Sequence, residues 1–124
     1  MDEGGAIGSR VALVELGSPP ASFSAERGEL SIAAVSIWEA QMLHAKDRLR
    51  LPLPLGAWLP EAVSLVTVVP LDVGVVLALD DLPATFHGDP ADRTIVATAR
   101  AHVQPLATHD RSIRRSRLAR LWRP

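Results

Sequence analysis

The stretch His87–Asp110, HGDPADRTIVATARAHVQPLATHD, constrains the fold more than any other, because it sets a helix start, a buried helix face and a strand behind it. Pro90 suits the first helical position, where its missing N–H would have no partner anyway, and Asp89 before it is a good N-cap. Ile95, Val96, Ala99 and Val103 recur at helical spacing. Asp92 falls on the same side as the first three, which turns its carboxylate toward the body of the protein. Pro105-Leu-Ala-Thr108 is short enough for a buried strand, and Asp110 stands where that strand would end.

The preceding chain reads as strands alternating with helices. Leu30–Ala34 is a short strand, and Ser36 opens a helix with the S-x-x-E pattern of a capping box completed by Glu39. Trp38, Met42, Ala45 and Leu49 follow at helical spacing, so that face is expected to pack. Leu55 to Leu65 forms a second helix, weakened by Gly56 and Pro60. Val66–Val69 is rich in β-branched residues and stopped by Pro70, and Asp72 caps a further helix, Val73–Leu79. Strands separated by helices of about ten residues require crossover connections, hence an α/β fold with a mainly parallel central sheet flanked by helices. Residues 1–29 read as an atypical, poorly ordered segment broken by glycines, with Val11–Val14 as its one strand-like run. Residues 30–124 read as the folded domain with an arginine-rich C-terminal tail.

At 124 residues with 48% hydrophobic content, the chain has the size of one domain with a real core. It has no apolar run near the roughly 18 residues of a membrane span, and Asp2 and Glu3 make a poor signal peptide, so a cytoplasmic location is expected. The absence of cysteine removes disulfides, thiolate metal sites and cysteine nucleophiles. Net charge is −1, yet Arg111, Arg114, Arg115, Arg117, Arg120 and Arg123 crowd the C-terminal end. Such a block serves as a solvated face, an arm for an acidic partner, or a phosphate contact.

Glu39, Asp92 and Asp110 each stand where a strand hands over to a helix or loop, and a parallel sheet gathers those positions on one edge. Taken singly, Glu39 reads equally as half of a capping box, Asp92 as an acid favouring the helix dipole, and Asp110 as a turn cap. Taken together, three neighbouring carboxylates repel one another unless a proton or cation intervenes, which points to Mg²⁺ or Mn²⁺ and to phosphodiester chemistry. His44, His87, His102 and His109 lack zinc spacing, and the chain has neither a nucleophile elbow nor a glycine-rich phosphate loop.

With these motifs in order, the chain resembles the PIN-domain proteins of the VapC toxin type. The resemblance rests on SIAAVSIWE ending at Glu39, on His87-Gly-Asp-Pro-Ala-Asp-Arg93 with its helix, and on Leu106-Ala-Thr-His-Asp110, and it spans about two thirds of the chain. It implies a metal-dependent endoribonuclease that cuts RNA, is held inactive by a VapB-type antitoxin and often forms homodimers. It places metal ligands at Glu39, Asp92 and Asp110, and Asp89 behind them as a cap and supporting group. The front departs from the family, which opens on a strand ending in aspartate. Here the first strand is expected to be missing or replaced, the N-terminus atypical or truncated, and Glu15, after Val11–Val14, is the nearest substitute for the aspartate. Weak or absent ribonuclease activity follows as an expectation, and the alternative is an inactive PIN-like protein that acts by binding an antitoxin or dimer partner.

Overall fold

The computed structural model describes residues 11–14, 29–64, 66–86 and 88–122, with side chains from Leu30 onward. Strands β1 (Val11–Val14), β2 (Glu29–Ala33), β3 (Thr67–Val69) and β4 (Leu106–Ala107) form one sheet in the order β3-β2-β1-β4, every pair parallel. The helices are α1 (Ala34–Ala45), α2 (Leu55–Val63), α3 (Val73–Asp80), α4 (Pro90–Ala101) and α5 (Arg111–Ser116). This is the expected α/β class. The expectation of a missing front strand is corrected: β1 holds an inner position, with Val14 level with Ile32 on one side and Ala107 on the other. Asp2, Glu3, Glu15 and the rest of residues 1–10 and 15–28 lie outside the described residues, as do His87 and Arg123. Among the described residues no helix is long and apolar enough to cross a membrane.

Helix α4 forms the centre of the core. Ile95, Val96 and Ala97 are fully buried, and Ala91, Thr94, Thr98 and Ala99 nearly so. Periodicity points to one buried stripe, but burial extends almost all round, because alanine and threonine let neighbours approach every side. The two buried hydroxyls stay satisfied by donating back to the helix, Thr94 Oγ1 to Pro90 O and Thr98 Oγ1 to Thr94 O, both at 2.7 Å. Helix α3 packs along α4, its start capped as expected by Asp72, whose Oδ1 accepts the Val75 N–H at 2.9 Å.

Three expectations are corrected. Helix α1 begins at Ala34, with Ala33 at its cap position making no side-chain bond, so Ser36 and Glu39 are not a capping box. Its buried residues are Ser36 and Ala40, whose small side chains let the helix lie close against β2 and α4. Trp38, on another face, is 54% exposed. Val103 is not core: the helix closes in a Schellman motif, Gln104 N–H to Ala99 O and Val103 N–H to Arg100 O, which leaves Val103 at φ 52 and 74% exposed.

The arginine-rich end folds back onto the sheet. After α5, Arg117 adopts a left-handed conformation at φ 56 and turns the chain. Leu106 N–H then donates to Arg120 O at 2.7 Å and Trp122 N–H to Leu106 O at 2.9 Å, adding a parallel bridge on the free side of β4. Arg100 Nη1 fastens the return by donating to Leu118 O at 2.6 Å.

Candidate active site

Asp92 occupies the third position of α4 and is half-buried. Asp89 Oδ1 accepts its backbone N–H at 2.8 Å, which anchors the helix start. The loop before it is held from both sides. Arg93 Nη1 donates to Phe86 O at 2.7 Å, and the guanidinium carbon lies 5.8 Å from the centre of the buried Phe86 ring, within cation–π range. Gly88 lies between that ring and Asp92: a Cβ there would meet Phe86 Cζ at 2.8 Å and Asp92 Cβ at 3.0 Å. Only a residue without a side chain fits, so the glycine of the H-G-D-P-A-D-R motif sets how closely the loop approaches the acid.

Asp110 follows β4 and begins α5. Its N–H donates to Thr108 Oγ1 at 3.0 Å, and its Oδ1 accepts the Ile113 N–H at 2.9 Å. Thr108 is buried, and its carbonyl accepts Arg114 Nη1 at 3.1 Å, so an arginine on the first turn and a half of α5 reaches back to the strand end. Glu39 lies in α1 a turn and a half beyond the end of β2 and is half-buried. One turn before it, Ser36 Oγ is buried with no hydrogen-bond partner in the structure.

Phe86 lies beside Gly88, against which Asp92 also lies, and it lines a cavity with Arg111 and Ser112, the residues directly after Asp110. Helix α1, which carries Glu39, packs on β2 and α4. Among the described residues no three His, Asp or Glu side chains form a group that could hold a metal ion, so these residues alone do not complete a metal centre. The histidines make local contacts or face solvent: His44 Nδ1 lies 3.4 Å from Leu49 O, His102 Nε2 lies 3.6 Å from Asp72 Oδ2, and His109 is exposed.

Arg93, Gly88 and Thr108 were not singled out by sequence reasoning. The signals for them were present: Arg93 directly follows Asp92, Gly88 precedes Asp89, and Thr108 is a hydroxyl residue two positions before Asp110, the spacing of a turn closed by its side chain.

A short parallel sheet with helices on it and acids following its strands defines the class. A family model described as PIN domain matches residues 11–117, and the chain belongs to the PIN-domain family. It is similar to Ribonuclease VapC22 of Mycobacterium tuberculosis, 39% identical over 89 residues, which cover 72% of this chain and 68% of that protein. Its fold is that of a chain in the crystal structure of VapBC2 from Rickettsia felis bound to a DNA fragment from their promoter, with a TM-score of 0.67 at 13% identity, covering 90% of this chain and 96% of the other.

Proposed function

We propose that the chain is the ribonuclease toxin of a toxin–antitoxin pair, cutting RNA in the cytoplasm with a divalent cation, Mg²⁺ or Mn²⁺, as cofactor. The observation that carries the reading is the 39% identity to a relative named as a ribonuclease of the VapC type. Glu39, Asp92 and Asp110 are the carboxylates that would hold the cation, with Asp89 as the cap behind Asp92. Bound there, the cation would neutralise charge on a phosphodiester and lower the pKa of an attacking water. The chain's own contribution is positional. Asp89 and Gly88 hold Asp92 at the start of α4, and Thr108 with the first turn of α5 holds Asp110. Asp110 uses Oδ1 as the helix cap, and Oδ2 makes no hydrogen bond to any described residue. Glu15 follows β1 where the resemblance expects aspartate, and activity is accordingly proposed to be weak.

A VapB-type antitoxin is the proposed protein partner, in keeping with the VapC name of the relative and the VapBC2 complex of the structural neighbour. Homodimerisation is proposed beside it. Trp38 and Leu43 on α1 and Val73, Val76 and Leu77 on α3 are exposed, and a soluble chain gains by covering apolar area of this kind. The same exposed surfaces, with the lack of a three-acid group among the described residues, favour the second reading, an inactive PIN-like protein that acts by binding.

Incubating the purified protein with labelled RNA in Mg²⁺ or Mn²⁺, and again with chelator, separates the two. Cleavage that needs the cation and disappears in Asp92→Asn supports the enzyme. No cleavage under any condition, with tight binding to the antitoxin encoded beside it, supports the binding protein.

A further inference from the structure

We infer that single-stranded RNA crosses the protein along α5, its phosphates paired by Arg111, Arg115 and Arg117; this rests on the ribonuclease reading above. Helix α5 starts at Asp110, so its arginines begin where the candidate site ends. On one side of the helix, Arg111, Ser112 and Arg115 line an open cavity of about 540 Å³ together with Thr85 and Phe86. On the other, Arg114, Arg115 and Arg117 line an open cavity of about 710 Å³. Arg115 borders both, so the proposed groove takes in the two openings.

The charge balance calls for a polyanion. No acid follows Asp110 in the sequence, and Arg111, Arg115 and Arg117 are exposed and form no ion pair with any described residue. Guanidinium groups held near one another repel, and a chain of phosphates relieves that at successive positions with paired, charge-assisted hydrogen bonds. Arg114 is engaged at Thr108 O and braces the helix rather than joining the groove's free cations. An acidic protein segment offers negative charge too, but RNA carries a phosphate at every nucleotide and so meets successive arginines along the helix. Arginine supplies all the charge of the lining, beside serine and threonine hydroxyls and the apolar Pro83, Leu118, Ala119 and Leu121, and Phe86 is only 7% exposed. Recognition through these arginines falls on the phosphate backbone, which positions a strand without reading its bases.

The test is the salt dependence of binding of a short 5′-fluorescein-labelled RNA of mixed sequence, followed by anisotropy in chelator between about 50 and 200 mM KCl, where phosphate contacts dominate. Each lost contact to a single strand lowers the log–log slope by about 0.7, so Arg111→Gln/Arg115→Gln/Arg117→Gln is expected to lower it by about 2, with an unchanged melting temperature. Arg48→Gln/Arg50→Gln, which removes charge from the exposed loop after α1, is expected to match the native chain. The proposal is overturned if the triple variant keeps the native slope, if the native chain binds no RNA, or if polyglutamate competes as well as unlabelled RNA. Cleavage in Mg²⁺ or Mn²⁺ is recorded separately. Arginine-dependent binding without cleavage upholds the groove and defeats the enzyme reading, whereas cleavage with an arginine-independent slope does the reverse.

Discussion

Asp89 Oδ1 accepts the backbone N–H of Asp92 at 2.8 Å, so one acid of the motif holds the helix start that carries the other. The two roles separate by substitution. Asp89→Ala removes the N-cap and is expected to cost about 1 kcal/mol of stability, with cleavage lowered only as far as Asp92 loses its position. Asp92→Asn keeps the backbone bond and the side-chain shape and removes the carboxylate charge, whose favourable effect near the helix start is about 0.3–1 kcal/mol. It is expected to abolish cation-dependent cleavage while unfolding close to the native urea midpoint. Urea titration and RNA cleavage on both variants check the division, and equal losses of stability would contradict it.

Gly88→Ala is expected to damage both fold and site. Its Cβ would stand 2.8 Å from the ring of the buried Phe86, which has no flexible end to swing away, and 3.0 Å from Asp92 Cβ. Overpacking of this kind costs about 1–3 kcal/mol, and the strain falls between the ring and the acid. The expected result is a lower urea midpoint and cleavage lost out of proportion to the unfolded fraction. An alanine variant as stable and active as the native chain would show that the loop relaxes freely.

Features decided within a few residues were legible in the sequence. Asp72 and Asp89 cap the helices they precede, Pro90 takes a first-turn position, and the β-branched run before Pro70 is a strand, because each depends on local backbone chemistry. Features decided by packing were not. Helical spacing identifies that α1 has faces but not which one meets the sheet. The structure buries the small residues Ser36 and Ala40 and leaves Trp38 outside, since close approach to β2 matters more there than side-chain size. The return of residues 120–122 to Leu106 depends on a left-handed turn at Arg117 and on pairing across the sheet, neither of which carries a local signal. Around the candidate site, the Asp89 cap was readable because it acts over three residues, whereas the brace from Arg93 to Phe86 spans seven and depends on the path of the loop.

Ile95→Ala tests whether α4 is the core that positions both acids. Ile95 is fully buried in the same cluster as Leu106 and Ile113, so one side chain joins the helix bearing Asp92 to the strand and helix flanking Asp110. Truncation removes buried area and leaves a cavity, at a cost of about 2–5 kcal/mol, against a total stability of about 5–15 kcal/mol for a domain of this size. Chemical denaturation is expected to show a large fall in midpoint with little change in slope. A loss under 1 kcal/mol would mean that the cluster collapses around the gap.

Asp110 allows cap and charge to be tested at one position. Its Oδ1 accepts the Ile113 N–H, and asparagine caps helices about as well as aspartate, so Asp110→Asn is expected to melt close to the native chain. Asp110→Ala leaves that N–H without its partner, loosens the first turn of α5 and is expected to cost about 1 kcal/mol. The two variants should nevertheless lose cation-dependent cleavage to the same extent, because neither offers a carboxylate. Melting curves with and without Mn²⁺ add a readout independent of activity. If Asp110 belongs to a cation site, Mn²⁺ raises the native melting temperature and has a smaller effect on both variants. Cleavage and a Mn²⁺ response retained in Asp110→Asn but lost in Asp110→Ala would reduce Asp110 to the helix cap and move the metal site elsewhere.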